Sequence, residues 1–337
     1  MEYRQLGRSG LKVSPLCLGG MMFGDQTDAQ ASQNIIAKAR DVGVNFIDTA
    51  DAYAAGRSEE IIGEAVGADR ERWVIATKVG FFADALMPAG AGLSRKNLMH
   101  CVDASLRRLR TDYIDIYYLH RDDASMALEE VVHSVADLVR QGRVRYFGVS
   151  NFRAWRLAEV VRLCDECGID RPVACQPQYN AMNRMPEAEL FPACRFYGIG
   201  VVPYSPLARG VLTGKYASAD NLPEGSRAAR RDTRILQTEF RAESLAHAQE
   251  IRAHAEAHGS TAAHFALKWV LNSAAVTSVI CGPRTMEQWN DYLAAVEEPP
   301  FTAADEALVD RLVPRGYPST LGYTDPNTPV TGRFPRT

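Results

Sequence analysis

Eight times along this chain a short run of apolar, often β-branched residues gives way to a longer amphipathic one. The short runs are Pro15–Leu18, Val44–Asp48, Val74–Lys78, Ile114–Leu119, Tyr146–Val149, Val173–Gln176, Val201–Tyr204 and Ser278–Cys281. They are mostly apolar throughout rather than alternating, as parallel strands buried on both faces must be. Helical periodicity fills most of the intervals: Thr27–Val42, Ser58–Val66, Ser94–Leu109, Met126–Gln141, Ala154–Cys167, Pro186–Tyr197 and Ser260–Asn272, with Thr285–Val296 and Thr302–Leu312 following. Ser58 reads as an N-cap and Gly67 as a stop. Eight strands with intervening helices predict an α/β chain closed as a (β/α)8 TIM barrel. A doubly wound dinucleotide sheet would carry GxGxxG after an early strand, and none is present.

Tyr3–Leu6 and Leu11–Ser14 flank a GRSG turn, which predicts an N-terminal β-hairpin (residues 1–14) plugging the bottom of the barrel. Two segments fall outside simple βα units: a long, basic, glycine-bearing stretch over 207–240, and a Pro-, Gly- and Thr-rich tail over 313–337. Long segments of this kind usually act as lids or binding loops. No second core follows a linker, so residues 1–337 are expected to form a single barrel domain.

The chain has 337 residues, 46% hydrophobic and 23% charged, with a formal net charge of −3. That is the composition of a globular chain, not of a disordered or fibrous one. No global basic field exists to hold nucleic acid or an anionic membrane. No apolar run reaches a membrane-spanning length, and MEYRQLGRSG lacks the apolar core of a secretory signal, so a cytoplasmic location is expected. The seven cysteines have no regular spacing and read as reduced thiols. Cys164 and Cys167 form a CxxC, but late in a helical stretch and without a second pair, which argues against zinc or redox chemistry; no metal is expected.

Barrel chemistry gathers where the strands end. The strand ends here carry Asp48 with Tyr53 just beyond, Lys78, His120, Ser150 with Asn151, Gln176, Tyr204 with Ser205, and Gly282 with Arg284. Taken singly, an aspartate there caps a turn, a lysine is solvated and a histidine is structural. Four ionisable groups from three consecutive strand ends are harder to set aside. A lysine and an aspartate on a partly dry rim should pair. The ammonium should then lower the pKa of the Tyr53 phenol and make it a usable proton donor. His120 would supply a second hydrogen bond to the same oxygen. These groups suit carbonyl reduction but hold no hydride, so a cofactor must supply it.

The motifs LCLGGMMFG, NFIDTADAYAAGRSEEIIGEAV, ATKVG, DYIDIYYLH, GVSNF, QPQYN, YSPLARGVLTGK and GPRTMEQ occur in this order, and together they resemble the aldo-keto reductases over nearly the whole length. The resemblance implies Tyr53 as general acid, Asp48 and Lys78 as its tuners and His120 as substrate orienter. It implies a nicotinamide cofactor across the rim. Ser150, Asn151 and Gln176 would hold the carboxamide, and Tyr204 would stack on the ring. Ser205, Pro206, Leu207, Arg209 and Lys215 would line the pyrophosphate, with Arg227 in a loop folding over it. Gly282, Arg284, Gln288 and Asp291 would meet the adenosine end.

A 2′-phosphate suits a guanidinium, so Arg284 and Lys215, with Arg227 near, favour NADPH/NADP+ over NADH. Departures from the family pattern are Gly20 and Met21, where a polar residue and a tryptophan can stand, and Tyr292 after Asp291. Phe81, Phe82, Tyr53, Tyr204 and Trp155 give the rim an aromatic cast. Tyr317, Tyr323 and Phe334 of the tail are candidates either for substrate contact or for packing.

The leading expectation is reversible NADPH-dependent reduction of aldehydes or ketones, with a small-molecule carbonyl or alcohol as partner. Monomer and homo-oligomer are equally compatible with it. A cofactor-binding regulatory or redox-sensing subunit is the alternative, because YSPLARGVLTGKY and the GSRA loop also resemble the potassium-channel β-subunit branch. His120 argues against that alternative, since the branch carries an amide residue there. A Schiff-base aldolase or isomerase needs a neutral lysine, which Asp48 disfavours.

Overall fold

The computed structural model describes residues 1–81, 92–220 and 222–329. In chain order its elements are β1 (Arg4–Gln5), β2 (Lys12–Val13), β3 (Leu16–Gly19), α1 (Ala29–Asp41), β4 (Phe46–Asp48), α2 (Arg57–Val66), β5 (Val74–Val79), α3 (Arg95–Leu109), β6 (Ile114–Leu119), α4 (Leu128–Arg140), β7 (Val144–Ser150), α5 (Ala154–Cys167), β8 (Ala174–Gln176), α6 (Leu190–Tyr197) and β9 (Gly200–Val201). There follow α7 (Thr233–Gln237), α8 (Ala242–Ala257), α9 (Ala262–Asn272), β10 (Val279–Cys281), α10 (Met286–Glu297) and α11 (Ala303–Leu312). The chain divides into two compact units. The first comprises Met1–Pro177, Glu189–Tyr204 and Ser273–Leu293, and the second Gln178–Ala188, Ser205–Asn272 and Ala294–Thr337.

All strands lie in the first unit. Eight of them pair in parallel in the order β10-β3-β4-β5-β6-β7-β8-β9. Val201 bridges Val276 in parallel, and the Thr277 and Ile280 amides donate to the carbonyls of Val201 (2.8 Å) and Pro203 (2.9 Å). The two edges of the sheet therefore meet, giving the expected (β/α)8 barrel. Along β6, Ile116 and Tyr118 enter the central core cluster, while the alternate Asp115 faces outward and binds Arg70 at 2.6 Å.

β1 and β2 pair antiparallel, and Leu6 and Val13 from this hairpin join the barrel interior with Phe46, Val74, Ile116, Val173 and Val202. The plug requires glycine at position 7. Its φ is +58°, and an added Cβ would stand 2.7 Å from the Gly198 carbonyl oxygen and 2.7 Å from the Gly200 nitrogen. The helices between these strands, such as α1, α3, α4 and α5, each bury an apolar stripe. In α4 the stripe is Leu128, Val131, Val132, Val135 and Leu138, the spacing of a single helical face.

Two local expectations are corrected. Ser58 does not cap α2: the helix starts one residue earlier after Gly56, whose φ is +91°. The Ser58 hydroxyl instead donates to the Gly20 carbonyl at 2.8 Å and meets the Thr49 hydroxyl at 2.8 Å. Gly67 does end α2 at Val66 as expected, and its φ of −55° then leads into a 3-10 turn at Gly67–Arg72. The helix expected over Pro186–Tyr197 is broken into a 3-10 turn at Met185–Glu187 and α6. Pro192 explains the break, because a continuous helix would press its ring onto the Ala188 carbonyl.

The second unit contains α8, which the sequence reading left without an element, and the long 207–240 segment. Alanine occupies so much of α8 that its apolar stripe is weakly marked against the rest of its surface. The 207–240 segment is not wholly irregular: a 3-10 turn spans Ala208–Thr213 and α7 follows. Arg184 organises the unit's interior. It is buried, bonding Glu187 (2.9 Å), Asp310 (2.8 Å) and the Val313 carbonyl (2.8 Å), and its guanidinium lies over the Trp269 ring, which stacks on Tyr179. The tail is tied to the same unit: Asp325 accepts two hydrogen bonds from Arg234, and Tyr323 donates to the Gln237 carbonyl at 2.9 Å beneath Arg241.

Candidate active site

Parallel register brings the strand ends to one rim. Gly19 pairs with Asp48, Lys78 with Tyr118 and Ser150 with Gln176. Asp48 and Lys78 are almost wholly buried, at 2% and 0% exposure. Tyr53 arrives from the turn after β4. That turn is docked on β5 by Thr49 N–H to Ala76 O (2.8 Å) and Asp51 N–H to Lys78 O (3.2 Å). Ala54, Ala55 and Gly56 then take three successive left-handed conformations, with φ of 48°, 53° and 91°. Left-handed alanines cost on the order of 1–2 kcal/mol each, so this turn stores strain beside the phenol.

Lys78 spends all three ammonium protons in the site. It pairs with Asp48, donates to the Thr49 carbonyl at 2.7 Å and donates to the Tyr53 hydroxyl at 3.2 Å. The opposite Asp48 oxygen accepts from the Gln176 amide at 2.8 Å. From there the bonds continue. Ser150 donates to the Gln176 carbonyl (2.9 Å), Asn151 donates to Ser150 (3.0 Å) and to the His120 carbonyl (3.0 Å), and the Tyr204 hydroxyl donates to Asn151 (2.9 Å). One connected network thus joins Tyr204, Asn151, Ser150, Gln176, Asp48, Lys78 and Tyr53.

Burial works to lower the Lys78 pKa, but Asp48 and Tyr53 outweigh it and the ammonium is held above its ordinary value. Burial raises the Tyr53 phenol and Lys78 only partly offsets this, so the net shift is upward. This corrects the expected net lowering: the lysine acts in the expected direction, but the dry surroundings win. His120 is buried at the rim, its ring edge-on to Tyr53 at 5.9 Å between centroids and tilted against Phe81 at 4.9 Å. Burial first, then Lys78 and Arg121, depress its pKa well below the ordinary value, so the imidazole is neutral. Its Nδ1 has no hydrogen-bond partner among the described residues.

Gly20 donates to the Asp48 carbonyl at 2.7 Å, and an added Cβ would stand 2.9 Å from Ser58 Oγ, so packing alone accounts for glycine there. Met21 is exposed, as is Trp155, which lies against Arg156. Gly282, Arg284 and Gln288 group at the end of β10. The Arg284 amide donates to Gln288 (2.9 Å), and its carbonyl accepts from Thr27 (3.0 Å). Its guanidinium pairs with no carboxylate among the described residues. Asp291 is exposed on α10.

In the second unit, Arg209 is left-handed (φ 54°) and pairs with the buried Glu239 at 3.2 Å. Arg227 lies 3.6 Å from Asp232, Lys215 stands over the Tyr216 ring, Ser205 accepts from Asn180 (3.0 Å), and Pro206 and Leu207 lead into the 3-10 turn. Tyr317 is exposed, and Tyr323 uses both ring and hydroxyl in packing. Phe82 and Phe334 lie outside the described residues.

Sequence reading missed a second buried cluster behind the rim. Glu59, wholly buried, accepts from Thr77 (2.6 Å) and pairs with Arg108 (2.6 Å), and Asp51 and Cys101 adjoin it. Its signal was available: Glu59 lies three residues before Ile62, on the core face of α2.

The fold and this rim define an oxidoreductase barrel. The aldo/keto reductase family pattern matches residues 15–314, and the chain belongs to that family. It is 38% identical over 323 residues to a putative voltage-gated potassium channel subunit beta of Schizosaccharomyces pombe, covering 93% of this chain and 90% of that protein. It is 37% identical over 310 residues to the uncharacterized oxidoreductase YrpG of Bacillus subtilis, covering 88% and 91%. It is 33% identical over 331 residues to an L-glyceraldehyde 3-phosphate reductase of Escherichia coli O157:H7, covering 94% and 93%. Among the described residues, no helix is long and apolar enough to cross a membrane.

Proposed function

We propose that the protein reduces aldehydes or ketones to alcohols with NADPH, reversibly, with Tyr53 as proton donor. The observation that carries the reading is the buried Lys78, bonded at once to Asp48, Thr49 and the Tyr53 hydroxyl. Such a lysine cannot act as a neutral nucleophile, but it orients a phenol.

The residues present fit a nicotinamide. Asn151 is left-handed (φ 59°), a strained conformation that persists here within the hydrogen-bonded network of Ser150, Gln176 and Tyr204. His120 carries a buried nitrogen beside Tyr53 that is unpartnered among the described residues. When bound, the cofactor supplies hydride to the carbonyl carbon. Tyr53 places its hydroxyl proton on the carbonyl oxygen, and neutral His120 donates a hydrogen bond to the same oxygen. Lys78 and Asp48 hold the phenol in place, and Ser150, Asn151 and Gln176 hold the carboxamide. Arg284 offers to a 2′-phosphate a guanidinium without a carboxylate partner among the described residues, which favours NADPH.

Absorbance decay of NADPH against NADH, over a panel of aldehydes and ketones that includes L-glyceraldehyde 3-phosphate, tests the reading. Turnover with NADPH supports it. Tight NADPH binding without turnover on any carbonyl or alcohol supports instead a regulatory, redox-reporting subunit, a reading favoured by the similarity to the S. pombe protein. Binding of neither nucleotide overturns both.

A further inference from the structure

One carboxyl next to Tyr53, with a single oxygen buried, has no part in that chemistry. Asp51 lies two residues before the phenol in the same strained turn, its amide held by the Lys78 carbonyl. Its Oδ1 is buried without a hydrogen-bond partner among the described residues. The groups around it come from five elements. Glu59 on α2 repels its charge and Arg108 on α3 attracts it, while Cys101 on α3 adjoins it and gives its thiol hydrogen to Asn97 Oδ1 (3.4 Å). Tyr117 on β6 and the Asp48–Lys78 pair at the ends of β4 and β5 complete the surroundings. Arg108 is already committed to Glu59 through two nitrogens, at 2.7 and 2.6 Å. It also fills the space over Gly56, where a Cβ would stand 2.7 Å from its Cδ. Asp51 therefore has no cation of its own among the described residues.

We propose that Asp51 is a positioning residue whose charge, set by the Glu59–Arg108 pair, governs how readily Tyr53 gives up its proton. The inference rests on the reading of Tyr53 as proton donor. Burial, then Glu59, push the Asp51 pKa up to about 7. Below that pH the carboxyl is neutral. Above it, the new negative charge raises the Tyr53 pKa further and weakens the phenol as an acid. Reduction should therefore slow by about three- to tenfold from pH 6 to pH 8.

The test follows the ring-carbon NMR signal of Tyr53, assigned with Tyr53→Phe, across this pH range in cofactor-free wild type, Asp51→Asn and Glu59→Gln, alongside the pH–rate profile of NADPH-dependent carbonyl reduction. The inference expects a step near pH 7 in both readouts in the wild type. The step vanishes in Asp51→Asn and moves to lower pH in Glu59→Gln, which loses the repelling charge. A purely structural Asp51 would lower the rate equally at every pH and leave the step in place, which overturns the inference. Identical NMR titrations in wild type and Asp51→Asn overturn it too, whether or not the enzyme turns over. Failure of the reductase reading shows separately, as absent turnover while the NMR step persists.

Discussion

Lys78 Nζ lies 3.2 Å from the Tyr53 hydroxyl, with Asp48 and the Thr49 carbonyl taking its other protons. The phenol is thus held by a cation that is itself fully committed. Tyr53→Phe should keep the fold and cofactor affinity while kcat falls about 10²–10⁴-fold, the usual worth of a general acid. Steady-state turnover beside a nucleotide binding titration checks this. Wild-type turnover in the variant would remove Tyr53 from the mechanism.

Removing one member of the buried pair should harm stability as well as rate. Lys78→Met leaves Asp48 charged and buried with only Gln176 beside it, at a cost of about 3–5 kcal/mol. Urea unfolding of the variant against wild type measures it. A change under 1 kcal/mol would mean that water reaches Asp48.

The raised Asp51 pKa also links stability to pH. The folded state holds this proton up to about pH 7, whereas an unfolded aspartic acid loses it near 3.9. Between those values the folded state binds more protons, so this group's contribution to stability is full below about pH 4 and lost as pH rises through 7. Asp51→Asn should therefore gain stability over wild type between pH 5 and pH 8, by on the order of a few kcal/mol. Thermal melts at the two pH values decide it, and an equal difference at both would contradict the linkage.

Arg284 should discriminate between nucleotides. Arg284→Ala should weaken NADPH by about 10–100-fold, the worth of about 1.5–3 kcal/mol for a charged hydrogen bond, and leave NADH nearly unchanged. Fluorescence titration with both nucleotides separates this from general damage, which would weaken both.

Gly7→Ala should be costly although the residue is far from the chemistry. The left-handed φ and the 2.7 Å approaches to Gly198 and Gly200 leave no room for a methyl group. Loss of at least about 1–3 kcal/mol in chemical unfolding is expected, with the activity of the folded fraction intact.

Much of this was legible in the chain. The eight apolar runs fell on the eight barrel strands because parallel strands covered on both faces must be apolar throughout, a signal that needs no partner to be read. Asp48, Lys78 and His120 were legible for the same reason: an ionisable residue closing an apolar run has only the rim to go to. Helix ends were less legible. Ser58 looked like a cap by type, yet its hydroxyl was claimed by Gly20 and Thr49, residues distant in sequence. Helix α8 escaped because alanine marks neither face.

By itself the sequence determined the barrel, its hairpin plug and the identity of the four polar groups at the rim, since these follow from local pattern and strand order. Only the tertiary structure decided how those groups behave. The upward shift of Tyr53, the neutrality of His120 and the isolation of Asp51 all depend on which charges are dehydrated together. Dehydration is a property of the packed interior, contributed by residues as far apart in the chain as Glu59 and Arg108 or Asp48 and Gln176.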